Sequence, residues 1–238
     1  MKRILSLFLF LWLAAMACVY GQNSGLRLDT SIIGSVLGSA AEGEVIEKIL
    51  SDYIDTEFRY TDSSGKIVLI QNGLPKGGDR FVYRERIGGF LAPQVKTVYG
   101  NGVFWTRVVN ETDRPLTFNL TFPSDSFPIP SMEGSYFKLF LPSDTPTFDK
   151  LPLYNYGIVG LEPFLSANLY KSSHLDRIIP PGEALLFYVT WLIYWYEEPG
   201  NGFVRTGLKL WEEGLKYHVK IYPQDSFSIP CGEMVFTE

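Results

Sequence analysis

The chain has 238 residues, 46% of them hydrophobic and 20% charged; that is enough apolar side chain for a core and excludes the disordered and collagen-like classes. A formal net charge of −5, with no basic run along the chain, argues against nucleic acid as a partner, because phosphate binding is built on clustered Lys and Arg. The two cysteines, Cys18 and Cys231, exclude a disulfide framework and a cysteine-based zinc site.

Met1-Lys2-Arg3 and the apolar residues 4–17 have the charged head and hydrophobic body of a secretory signal peptide, expected to span residues 1–21. The apolar run is shorter than the roughly 20 residues a membrane span needs. Processing after Gly21 would leave Gln22 at the N-terminus and Cys231 as the remaining cysteine, expected as a buried thiol. Processing after Ala17 would expose Cys18, a weak match to a bacterial lipobox and a possible lipidation site. Plain export is the expectation.

Residues 22–55 read as a helical N-terminal segment. Val45, Ile46, Ile49, Leu50, Tyr53 and Ile54 form the stripe of an amphipathic helix, and Glu42, Glu44 and Glu47 suit its first turns through the helix dipole. From residue 57 the period changes to two. Strands are predicted over 66–71 and 80–87, separated by the turn-rich 72–78. Strands over 103–109 and 116–122 read as a hairpin, with Leu116, Phe118, Leu120 and Phe122 on one buried face. Asn110-Glu111-Thr112 in its turn and Asn119-Leu120-Thr121 in its second strand match the N-glycosylation acceptor, with Asn110 expected to be exposed.

A short strand over 137–141 stops at Pro142, and 143–157 is the longest irregular stretch, of a length that is often functional. A helix is predicted over 162–169, with Pro163 in its first turn. Residues 184–196 are apolar on both faces, which predicts a central strand covered on both sides. Its length predicts a bend or bulge. A second hairpin over 203–222 and an edge strand over 234–237 complete the chain.

Residues 100–131 nearly recur one hundred positions later, in ten identities that include Gly100-Asn101-Gly102, Asp125-Ser126-Phe127 and their counterparts Gly200-Asn201-Gly202 and Asp225-Ser226-Phe227. Each copy reads as a Gly-Asn-Gly turn opening a hairpin, with the Asp-Ser pair capping a second turn. The expected fold is therefore mainly β: an immunoglobulin-like or jelly-roll-type antiparallel β-sandwich with pseudo-repeated halves, over residues 56–238. Two β domains, 56–131 and 132–238, are the alternative.

The chain carries no metalloprotease, nucleophile-elbow, phosphate-loop or dinucleotide motif. His174 and His218 are far apart, and a glycosidase-like pair of carboxylates cannot be chosen from sequence. No catalytic residue, metal or cofactor is nominated. The candidate contact residues are aromatics, whose flat faces and polar tips suit sugars and peptides. They are Tyr154 and Tyr156 in the long loop, Trp195 and Tyr196 at the end of the long strand, and Trp105 with Arg107 beside it. The leading expectation is an exported, periplasmic or cell-surface, non-catalytic protein that binds a glycan or a protein at the cell envelope. A carbohydrate-active hydrolase or lyase and a structural envelope subunit are the alternatives.

Overall fold

Alternation of apolar and polar side chains places one face of nearly every strand in a common core. The computed structural model describes residues 48–61, 65–83, 86–87, 90–91, 97–130, 132–195, 204–212, 214–222 and 225–236. All belong to one compact unit, residues 43–238. The described residues are mainly strand, in two main antiparallel sheets, one of them curled into a half-barrel.

The first sheet has seven strands. Its main path runs β1 (Ile54–Thr61), β2 (Ile67–Gly73), β6 (Thr97–Asn110), β11 (Ala184–Trp195), β9 (Tyr136–Phe140) and β8 (Phe127–Pro128), and β3 (Lys76–Tyr83) also pairs with β6. The second sheet has five strands in the order β10 (Ser173–Ile179), β7 (Leu116–Phe122), β14 (Asp225–Phe236), β13 (Gly214–Ile221) and β12 (Val204–Trp211). Two short strands, β4 (Arg86–Ile87) and β5 (Phe90–Leu91), pair separately. Helix α1 (Leu161–Asn168) has Pro163 in its first turn, where a missing N–H costs nothing.

The two sheets share an apolar core. Leu116, Phe118, Leu120 and Phe122 of β7 pack with Phe104 and Val108 of β6 and with Phe187, Val189 and Ile193 of β11. Tyr217 of β13 sits between Phe104 and Phe122, its ring centroid 5.5 and 5.4 Å from theirs. The first sheet is covered on its other face as well. Leu50, Leu151, Tyr156, and Leu161 and Leu165 of α1 form a second cluster with Trp105, Tyr188 and Leu192. Strand β11 is thus buried on both sides, as its two apolar faces require.

Several expectations are corrected. The helix is present over residues 48–51, but Ile54 already begins β1, where residues 56–61 pair with β2; residues 22–47 of the predicted helical segment, like Cys18 and the leader, lie outside the described residues. Strand β11 pairs with β6 over twelve positions without a register shift, so no bulge breaks it. Two tryptophans are accommodated by glycines instead: a Cβ on Gly102 would lie 2.7 Å from the Trp191 indole, and one on Gly100 would lie 2.3 Å from that of Trp195. Strand β10 was not expected, and residues 234–236 belong to the interior strand β14.

The sequence repeat does not mark equivalent structure. Strands β6 and β7 lie in different sheets, so the first copy is a crossing between sheets, whereas β12 and β13 in the second copy form a true hairpin. Gly100-Asn101-Gly102 runs within β6, opposite Ile193, Leu192 and Trp191, and opens no turn, while Gly200-Asn201-Gly202 lies outside the described residues. Asp225-Ser226-Phe227 lies in β14, while Asp125-Ser126 lies outside the strands.

Asn110 is fully buried and is not an exposed glycosylation acceptor. Its Nδ2 donates to the carbonyls of Arg114 and Ile179 at 2.8 and 2.9 Å. Its Oδ1 accepts from the Thr112 backbone at 3.1 Å and the Thr112 hydroxyl at 2.6 Å. That side chain builds the turn into β7 and ties it to the end of β10.

Cys231 is a buried thiol, donating to the Leu215 carbonyl at 3.3 Å. Burial pushes its pKa up to about 12, so almost no thiolate exists near neutrality. A maleimide reagent is expected to leave the native protein, processed after Gly21, unlabelled at mildly alkaline pH and to label it after unfolding in guanidinium. Rapid labelling of the native state would show an accessible thiolate.

Candidate binding site

The long loop is pinned at one point and exposed at another. Asn155 and Tyr156 adopt left-handed conformations, with φ of +46° and +53°. For non-glycine residues that geometry costs on the order of 1–3 kcal/mol each, so the surroundings must hold it. The Tyr156 ring is fully buried and stacks on Tyr188 with centroids 6.1 Å apart, and its hydroxyl donates to the Leu74 carbonyl. Burial raises the pKa of that hydroxyl, keeping it protonated. The Tyr188 hydroxyl donates to the Tyr156 carbonyl at 3.1 Å.

Lys76 of β3 reinforces the anchor from the other side. Its ammonium donates to the carbonyls of Leu151 and, at 3.0 Å, Leu153. It also sits 4.5 Å from the Tyr156 ring centroid and 5.3 Å from that of Tyr53, a cation–π arrangement. Desolvation lowers its pKa. Tyr156 is therefore a packing anchor whose ring is not offered to solvent, whereas Tyr154, two residues away, is 63% exposed.

The other residues nominated from sequence separate. Trp105 is buried in the same cluster as Tyr156 and presents no surface. Arg107 shares its face and is held in a polar row. Its guanidinium donates to Gln71 Oε1 at 3.0 Å, and Gln71 Nε2 donates to Glu57 Oε2 at 2.9 Å. The Gln71 hydrogen bond and the Arg59 guanidinium hold the Glu57 carboxyl below its ordinary pKa, against the effect of burial. Trp195 packs on the opposite face, against the core between the sheets. Tyr196 lies outside the described residues.

Strand pairing brings together a different aromatic group. Tyr99 of β6 pairs with Tyr194 of β11, which pairs in turn with Tyr136 of β9. The three rings form a row across three strands, with centroids 5.7 Å apart for Tyr99 and Tyr194 and 6.3 Å apart for Tyr194 and Tyr136. The second pair is near-parallel, with an interplanar angle of 28°. Tyr136 is 43% exposed, and Tyr99 and Tyr194 are partly exposed. The next row on this face, Asn101, Leu192 and Lys138, is buried, so the tyrosines stand where the cover of the sheet gives way to solvent.

This row could not be found by spacing, because Tyr99, Tyr136 and Tyr194 are far apart in sequence and meet only through register. Lys138 secures its margin. The ammonium donates to the carbonyl of Ser124 and, at 3.4 Å, to that of Pro123, fixing the turn that leads to β8 beside β9.

The histidines stand apart. His174 is exposed on β10, and His218 on β13 is held by the Ser226 and Ser228 hydroxyls at 3.0 and 3.3 Å. Among the described residues no group of three His, Cys, Asp or Glu side chains is placed to hold a metal ion. Comparison with protein-family models, with curated proteins and with solved structures returns no match for this chain.

Proposed function

We propose that the protein is an exported, non-catalytic binding protein of the cell envelope that takes a neutral glycan on the Tyr99–Tyr194–Tyr136 row. The observation that carries this reading is the row itself: three adjacent tyrosine rings, partly open to solvent, on strands fixed by continuous pairing. Tyrosine faces pack against the C–H faces of sugars, and their hydroxyls reach sugar hydroxyls. A rigid sheet offers this platform with little ordering cost on binding. The leader-like residues 1–21 support export. The apolar core shared by the two sheets supports a sandwich fold of the immunoglobulin-like or jelly-roll kind.

The test is a glycan array probed with residues 22–238. Binding to one class of neutral glycan is expected, with no turnover of the bound glycan on prolonged incubation. Silence across the neutral glycans would overturn the reading, and turnover would make the protein an enzyme.

A further inference from the structure

The hairpin of β12 and β13 gathers cations that are dispersed in the sequence of an acidic chain. Along each strand the alternate residues Val204, Leu208, Leu215, Tyr217 and Val219 enter the core, so the residues between them share the outer face. There Arg205 pairs directly with Lys220, and Lys209 with Lys216. Like charges directly opposite one another destabilise a ladder, yet this hairpin places two such pairs on one face of a protein with net charge −5.

An aromatic side chain lies among these cations. The Trp211 indole, 43% exposed, has the Lys209 ammonium 4.7 Å and the Lys216 ammonium 5.7 Å from its ring centroid. Asp55 stands 3.8 Å from Arg205, in the row farther from Trp211, and the Lys209 ammonium also lies 5.1 Å from the Phe58 ring centroid. The neighbouring strand β14 presents Ser226 opposite Lys220 and Ser228 opposite His218.

We propose that this outer face binds an anionic polysaccharide, with a sugar ring on Trp211 and its acidic groups on the flanking Lys209–Lys216 and Arg205–Lys220 pairs. The two cationic pairs are separated by four residues of strand, roughly 13 Å. Between them lies exposed His218, with the two serine hydroxyls beside its imidazole; Gly207 opposite it is buried, and the side a Cβ would take faces Thr56 and Asn72. That spacing suits a polymer whose charged sugars are separated by neutral ones. It suits nucleic acid less well, since a strand carries a phosphate about every 3.4 Å along its axis. This site lies on the other sheet from the tyrosine row and does not depend on it.

The probe is hyaluronate, in which a carboxylate recurs on alternate sugars, with neutral dextran and an oligo-dT single strand as rivals, by calorimetric titration at low and high salt. Hyaluronate is expected to bind the native protein, more weakly as salt rises, and any dextran binding, which would fall on the tyrosine row, is expected to be unchanged in Trp211→Ala. The double variant Lys216→Gln/Lys220→Gln and, separately, Trp211→Ala are each expected to weaken hyaluronate binding at least tenfold. Melting curves check that each variant is folded at the temperature of the titration, and Tyr136→Ala should bind hyaluronate unchanged. No hyaluronate binding at low salt, undiminished affinity in the lysine variant, or tighter binding of oligo-dT would each overturn the proposal.

Discussion

Gly232→Ala is expected to abolish the native fold or to lower its stability by more than about 4 kcal/mol, the range reached only when a specific mechanism is violated. Gly232 has φ of +151°, and a Cβ there would lie 1.9 Å from the carbonyl oxygen of Asn119. The obstructing atom is backbone, so no rotamer change relieves it. The position is where β14 passes from pairing with β13 to pairing with β7: Gly232 is the partner of Leu215 on one side and Leu120 on the other. A register shift falls at the same point, between Leu215 and Lys216, after Pro230, whose missing N–H is tolerated beside a bulge. Moving β7 away from β14 would open the centre of the five-stranded sheet. The control is Gly65→Ala, at φ of +82° with nothing within 4 Å, expected to cost only about 1 kcal/mol of backbone strain. Chemical denaturation of both variants checks the contrast, and a Gly232→Ala protein as stable as Gly65→Ala would refute the geometry.

Asn72→Ala is expected to cost about 3 kcal/mol, equivalent to a fall of about 10 °C in Tm for a chain of this size. Asn72 on β2 is fully buried and acts as a piece of strand for β12. Its Oδ1 accepts from the Leu208 N–H at 2.8 Å, and its Nδ2 donates to the Leu208 carbonyl at 3.1 Å. Thr106 donates to Asn72 Oδ1 at 3.1 Å and lies 3.0 Å from the Tyr217 hydroxyl, extending the network across the core. The Tyr60 hydroxyl accepts from the Leu210 N–H at 2.9 Å. The open edge of β12 is thus met at Leu208 and Leu210 by side chains of the other sheet, which blunts a template for unwanted strand pairing. Truncation at Asn72 leaves a buried N–H and C=O without partners, and that desolvation penalty is the source of the loss. Thr106→Val should be non-additive with it in a double-mutant cycle, and strict additivity would show that the network does not act as a unit.

Much of this fold was legible wherever a strand has one dry face. The alternation in Leu116, Phe118, Leu120 and Phe122 and the two apolar faces of 184–195 both correspond to what the strands bury. Partner choice was not legible. The repeat suggested that 103–109 and 116–122 pair with each other, but local pattern encodes which face is buried, not which strand lies alongside. Strand β10 was missed because its run, Ser-His-Leu-Asp-Arg-Ile-Ile, is an exposed edge with little alternation to read.

The candidate sites divide in the same way. Tyr156 was chosen as an exposed loop aromatic, and its left-handed backbone and buried ring came only from the packing of Lys76 and Tyr188 around it. Asn110 looked like a surface acceptor because its turn is polar, yet its side chain is the turn's internal scaffold. The Tyr99–Tyr194–Tyr136 row depends on register between β6, β11 and β9, a long-range property with no local signal.

The central claim, that this row is the glycan platform, is tested most directly by calorimetric titration of the strongest neutral ligand from the array. The native protein, Tyr136→Ala and Trp211→Ala would be compared. Tyr136 is half-exposed, so its truncation should leave Tm nearly unchanged while weakening the neutral glycan about tenfold, a loss of about 1.4 kcal/mol. Trp211→Ala, on the other sheet, should bind that glycan as the native protein does. Undiminished affinity in Tyr136→Ala would contradict the account.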